Sequence, residues 1–181
     1  MSAKAPVFLL VLINILLILS TSACARMMIT GRVVDAETGK PIENAAVHIY
    51  WGKMGPGPPG LAGYVTVEVA EDLTDVKGLF NVPKYSILLN HYYLTIYKKG
   101  YVCWSNKKIF PTYEERKGFR LKDGMVIELE PFKEEYSREK HAYFTVFSSI
   151  NRNEPGLFDD AIKSERELRS KIIRRKRNRG K

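Results

Sequence analysis

Residues 30–50 read TGRVVDAETGKPIENAAVHIY. Two runs rich in β-branched residues flank a turn-forming centre, Asp35 to Pro41. Gly39 and Pro41 sit where a tight turn wants a left-handed residue and a fixed φ, so the stretch reads as a β-hairpin signal. Ile29, Gly31 and Val33 alternate with Thr30, Arg32 and Val34, and Val47, Ile49 and Trp51 alternate with His48 and Tyr50. Period two is the pattern of a strand that turns one face to a core.

Outward from this stretch the same punctuation continues. GKMGPGPPGLAG (52–63) cannot hold a central strand, because proline lacks the N–H and glycine the side chain, and it reads as an exposed loop. YVTVEVA (64–70), LFNVP (79–83), two segments in YYLTIYKKGYVCW (92–104) and MVIELEPF (125–132) read as further short strands. Their spacing predicts a mainly β fold, an antiparallel sandwich rather than a parallel α/β sheet. Beyond Pro131 the period changes. Tyr136, Lys140, Tyr143, Phe147 and Ile150 recur at three and four, the spacing of a helix, with Ser137 placed to cap it. A second helix is expected from Pro155 to about Arg177, with Asp159 and Asp160 near its positive end and arginines at its negative end. Its apolar face (Leu157, Phe158, Ala161, Ile162, Leu168, Ile172, Ile173) is interrupted by Glu165 and Arg169, which predicts only loose docking.

The chain begins with a different logic. Lys4 precedes an apolar run from Val7 to Leu19, broken only by Asn14, and small residues follow in STSACA. That is the order of a secretory signal, and the run is shorter than the about 20 residues of a membrane-spanning helix. TSAC resembles a bacterial lipobox, cut before Cys24 with the lipid on that thiol, although Thr21 stands where such boxes carry Leu. The alternative is ordinary release at the A-x-A of ACA, before Arg26. The expected division is a signal peptide (1–23), a β-sandwich (24–131) and a helical extension with a basic tail (132–181). The protein is expected outside the cytoplasm, as a lipoprotein of the cell or outer membrane facing the periplasm, or else secreted. Two cysteines make no disulfide framework, and Cys103 reads as a small hydrophobe on a strand.

The net charge of +9 is concentrated at the end. Arg166 to Lys181 holds nine basic residues against one acid, Glu167. Lys171, Arg174, Arg175, Lys176, Arg177 and Arg179 therefore read as a candidate polyanion-binding arm. Anionic lipid or an envelope polymer is the expected target, with nucleic acid third because export removes its usual supply.

GRVVDAETGKPIENAAV resembles the opening of the carboxypeptidase regulatory-like domain, a transthyretin-like, Ig-like seven-stranded sandwich. The matching positions are Gly31, Val33, Asp35, Thr38, Gly39, Pro41, Ile42, Ala45 and Val47, with Asn44 where the family usually has glycine. Asn tolerates the same left-handed turn. Thr74, Asp75, Gly78, Phe80 and Val82 match a second motif, and Gly100–Tyr101 a third, so the resemblance spans residues 28 to 131. It implies a module that accompanies catalysis elsewhere, with Phe80 in the core.

Catalytic signatures are few. None of His48, His91 and His141 has an H-x-x-E partner for zinc, and all three read as surface or half-buried side chains. NRGK shares only Arg-Gly with the terminal motif of transthyretin-like hydrolases, and the chain has neither a G-x-S-x-G elbow nor a P-loop. Asp35, Glu37 and Asp75 could gather around calcium, but Asp in a turn usually binds its own backbone. Tyr92, Tyr93, Tyr97, Tyr101 and Trp104 could stack on sugars or peptides, about half of them being expected in the core. No metal or cofactor is expected. The reading is a non-catalytic binding or scaffolding module of the envelope, tethered by Cys24 to the membrane. The alternatives are an accessory domain of a partner enzyme and a secreted hydrolase.

Overall fold

The computed structural model describes residues 28–58, 63–84, 91–148 and 156–179. Cys24 and the signal segment lie outside them, as do parts of the proline-rich loop and of the link between the helices. The described strands are β1 (Met28–Asp35), β2 (Ala46–Met54), β3 (Tyr64–Leu73), β4 (Leu79–Pro83) and β5 (His91–Tyr97). Short β6 (Trp104–Ser105), β7 (Lys108–Ile109) and β8 (Glu114–Glu115) precede β9 (Met125–Leu129). The helices are α1 (Arg138–Phe147), α2 (Leu157–Ala161) and α3 (Lys163–Arg179).

Seven strands form two facing sheets, ordered β4-β1-β9 and β3-β2-β5-β6, and β7 and β8 make a small separate hairpin. Pairing is antiparallel except between β1 and β9, which run parallel. The fold is therefore mainly β, a sandwich followed by C-terminal helices, with one parallel pair inside an otherwise antiparallel arrangement.

The hairpin expected at residues 30–50 does not form. β1 and β2 lie in different sheets, and the turn between them is a crossing. Asp35 Oδ1 accepts the N–H groups of Glu37 and Thr38, and the chain folds back for a single bridge between Val34 and Pro41. Asn44, at φ 55°, then turns it away. Thr74 secures the far side, accepting from Ala45 N at 2.7 Å and donating to the Ile42 carbonyl at 2.6 Å. The physical reason is burial. Both arms carry an apolar face, and facing them across a core covers both.

That core contains Val33, Val47, Ile49, Trp51, Phe80, Leu94, Ile96, Ile127 and Leu129, each at most 2% exposed. Phe80 points inward as expected, and its ring lies where a Gly31 Cβ would stand, 2.2 Å from that position. Gly78 has φ +74°, and a Cβ there would come within 2.4 Å of the Val33 carbonyl. The motif glycines are thus places where backbone and ring approach each other.

A second apolar cluster lies on the other side of the β3-β2-β5-β6 sheet. Ala46, Tyr97, Val102 and Cys103 meet Phe110 and the helical residues Phe144, Phe158 and Ile162. Ser137 caps α1 as predicted, accepting from Lys140 N. The second expected helix is broken into α2 and α3, with Asp159 on α2 pairing to Arg166 on α3. The docking is firmer than the interrupted face predicted, because Glu165 is itself buried at 5% exposure, as is Ile172 at 3%. Leu157 and Ile173, expected on the docking face, are exposed instead.

Candidate functional site

The turn carboxylates are occupied by the chain itself. Asp35 Oδ1 also accepts the Thr38 hydroxyl, and Oδ2 accepts the Tyr101 hydroxyl at 2.9 Å. Backbone donation from Thr38, followed by that of Tyr101, holds the Asp35 carboxyl below its ordinary value. Asp75 accepts the N–H groups of Lys77 and Leu79. These donors do the work a calcium ion would otherwise do, and the residues shape turns.

Of the three histidines, His48 and His141 are buried, at 2% and 1% exposure, which corrects the surface expectation. His91 begins β5 rather than lying in a loop. His141 belongs to a buried polar group that its spacing did not announce. Its Nε2 accepts the Cys103 backbone N–H at 2.9 Å, so the proton sits on Nδ1, 3.6 Å from Glu165 Oε1. That is a long electrostatic contact rather than a hydrogen bond. The Tyr97 hydroxyl donates to the same oxygen at 3.1 Å. Burial works to raise the Glu165 pKa, but the imidazole and the Tyr97 hydroxyl outweigh it, and the carboxyl lies below its ordinary value. A cysteine, a histidine and a glutamate together invite a catalytic reading. Burial decides against it: the Cys103 thiol is 1% exposed and pushed up to about 12, so it supplies no thiolate at neutral pH. The group is a structural clamp between sheet and helices.

The basic residues Lys171, Arg174, Arg175, Lys176, Arg177 and Arg179 all lie on α3 and are all exposed. Ile172 anchors the helix among them, and Lys176 and Arg169 reach over the Tyr143 ring at 5.8 and 5.5 Å. The charge is thus carried on a held helix.

A concave surface lies where the sandwich opens between β6 and β9. Three adjoining hollows, of about 480, 460 and 230 Å³, share Arg116. Arg116 follows β8 and bonds back to the Ser105 carbonyl through Nε at 2.8 Å. Its guanidinium covers the Trp104 ring at 4.7 Å, and Phe119 meets the same ring edge-on at 5.0 Å. The middle hollow is lined by Tyr92, Tyr93, Lys107, Phe119 and Phe147. Lys107 Nζ lies 5.0 Å from the Tyr93 ring, which stacks on Tyr50 at 4.6 Å. Of the five aromatics singled out in the sequence, Tyr92, Tyr93 and Trp104 therefore line the cleft. Tyr97 is buried beneath the helices and Tyr101 ties the Asp35 turn. Arg116 and Phe119 were not singled out, because KGFR (117–120) shows no periodicity and only the β7–β8 hairpin, with its cis Phe110–Pro111 bond, brings them to the opening.

Among the described residues no group of His, Cys, Asp and Glu is placed to hold a metal, and no helix is long and apolar enough to cross a membrane. No family model and no curated protein matches the chain. Among solved structures it is similar, over 58% of its length and at 16% identity, to a Streptococcal ancillary pilin, with a TM-score of 0.32. Over 66% of its length, at 13% identity and a TM-score of 0.32, it is similar to a 9R-lipoxygenase from Cyanothece. The chain covers 29% of the first of these and 22% of the second.

Proposed function

We propose that the protein is an exported, non-catalytic binding module, a carboxypeptidase regulatory-like sandwich held at the envelope membrane by a lipid on Cys24. In this reading the helical layer adds a second, electrostatic hold. The observation that carries it is α3, where six basic residues stand exposed on a helix tied to β5 through Glu165 and Tyr97, with Ile172 buried among them. Near an anionic membrane each such residue contributes about 1 kcal/mol, an attraction that fades within a Debye length. Several together strengthen an acyl anchor that is already in place. The burial of Cys103, His141 and Glu165, and the engagement of Asp35 and Asp75 in turns, support a role without chemistry.

Two measurements test the two holds. Cys24→Ser is expected to leave the precursor uncleaved or to release the protein in soluble form. Unchanged membrane retention and gel mobility would overturn the tether. In the released protein, replacing Arg174, Arg175, Arg177 and Arg179 with Gln is expected to abolish binding to phosphatidylglycerol vesicles at low salt. Equal binding by both forms would reduce the helix to a solubilising tail.

A further inference from the structure

The cleft around Arg116 holds a charge that forms no salt bridge among the described residues. The guanidinium is half-buried, and that burial lowers its pKa from the ordinary arginine value. Only Nε is engaged in a hydrogen bond within the described chain. No salt bridge joins Arg116 to a carboxylate among the described residues, although Glu115 is near in sequence and pairs instead with Lys108 at 3.7 Å. A cation drawn partly out of water without a counter-charge is unfavourable unless an anion approaches it. The free edge of a guanidinium fits a planar carboxylate through two parallel N–H···O bonds.

The surroundings narrow the class of anion. Lys107, Lys108 and Lys117 add positive charge around the hollows, set against Glu115, Glu128 and Glu130. Flat rings line the middle hollow, and Phe147 stands 85% exposed at its rim. An inorganic anion on Arg116 would leave those rings bare. A sugar ring lays an apolar C–H face on an aromatic ring and can carry a carboxylate at its edge. The three hollows adjoin and open to solvent, so a chain of such units can pass through with its ends free.

We propose that this cleft binds an acidic saccharide of the uronic-acid class, Arg116 clamping its carboxylate and Tyr92, Tyr93 and Phe119 supporting the sugar rings. The proposal deepens the binding-module reading and rests on it.

The test is calorimetric titration of the detergent-extracted full chain with a galacturonic acid trimer. Binding is expected, with at least a tenfold loss in Arg116→Gln and a several-fold loss in Lys107→Gln, a conservative change at a partly exposed site. The variant with Arg174, Arg175, Arg177 and Arg179 replaced by Gln is expected to bind the trimer as well as the native chain. The methyl-esterified trimer, inorganic phosphate and a short glutamate peptide are expected not to bind. Absence of trimer binding would overturn the proposal. So would full retention in both cleft variants, loss in the helix variant, or equal binding of the ester, phosphate or peptide. The titration is made in solution, so its outcome is independent of whether Cys24 and α3 hold the protein to a membrane.

Discussion

The molecule has two cores, one on each side of the β3-β2-β5-β6 sheet, and they are built on different principles. Between the sheets, Val33, Ile49, Phe80, Leu94, Ile96 and Leu129 pack with no exposure, and buried Thr74 bonds only backbone, at Ile42 and Ala45. Under the helices, Cys103, Phe110, Phe144, Phe158 and Ile162 are interleaved with buried His141, Thr145 and Glu165. Burying apolar area is non-directional, so the first core accepts any neighbour of the right shape. A buried polar group must meet its partner or cost the desolvation penalty, so the second core dictates one placement of each helix. The sandwich is held by area, and the helical layer is oriented by the contacts of His141 and Glu165 with Cys103 and Tyr97.

The largest expected effect lies in the first core. Phe80→Ala empties the space beside Gly31 and is expected to cost about 3–5 kcal/mol, measured by denaturant unfolding. A loss below 1 kcal/mol would show that this core repacks freely. Next is the clamp. Glu165→Ala leaves the Tyr97 hydroxyl buried without its acceptor and removes the carboxylate that faces His141 Nδ1, at an expected cost of about 1–3 kcal/mol. Hydrogen exchange sharpens the contrast: amides of α1 and α3 are expected to lose protection while those of β1 and β9 keep it. Equal loss in both layers would mean that the two cores unfold as one.

The same clamp has a pH dependence that the first core lacks. The Glu165 carboxyl lies below its unfolded value, so its contribution is complete above the unfolded pKa of about 4.3 and goes as pH falls through the lower folded value. Acid is therefore expected to loosen α1 and α3 before the sheets, and Glu165→Gln to flatten that response. The smallest effect is Ser137→Ala, which removes the α1 cap and is expected to cost about 1 kcal/mol, confined to exchange in that helix.

Much of the first core was legible in the alternation of Val33, Val47 and Ile49 and in the second motif, because period two follows from backbone geometry. Phe80, the Ser137 cap and the strand at 125–129 were all expected and all observed. The hairpin at residues 30–50 was misread because turn chemistry reports that the chain reverses, and it is silent on whether the returning strand pairs or crosses. Glu165 looked like a flaw in an apolar face because a helical wheel has no term for a partner on another element. The cleft was half legible: Tyr92, Tyr93 and Trp104 advertise stacking, but Arg116 comes from a short hairpin without pattern.

From the residues alone came most of the sandwich strands, the turns, the change to helical period after Pro131, and the concentration of positive charge at the end of the chain. Each rests on local sterics, hydrogen bonding or charge, which neighbouring residues settle among themselves. Tertiary structure decided that β1 and β2 face each other across a core, that β1 runs parallel to β9, and that His141 meets Glu165 and Tyr97. It also decided that Arg116 lies over Trp104, without a salt bridge among the described residues. These depend on which surfaces exclude water together, a property of residues far apart in the chain that no local pattern carries.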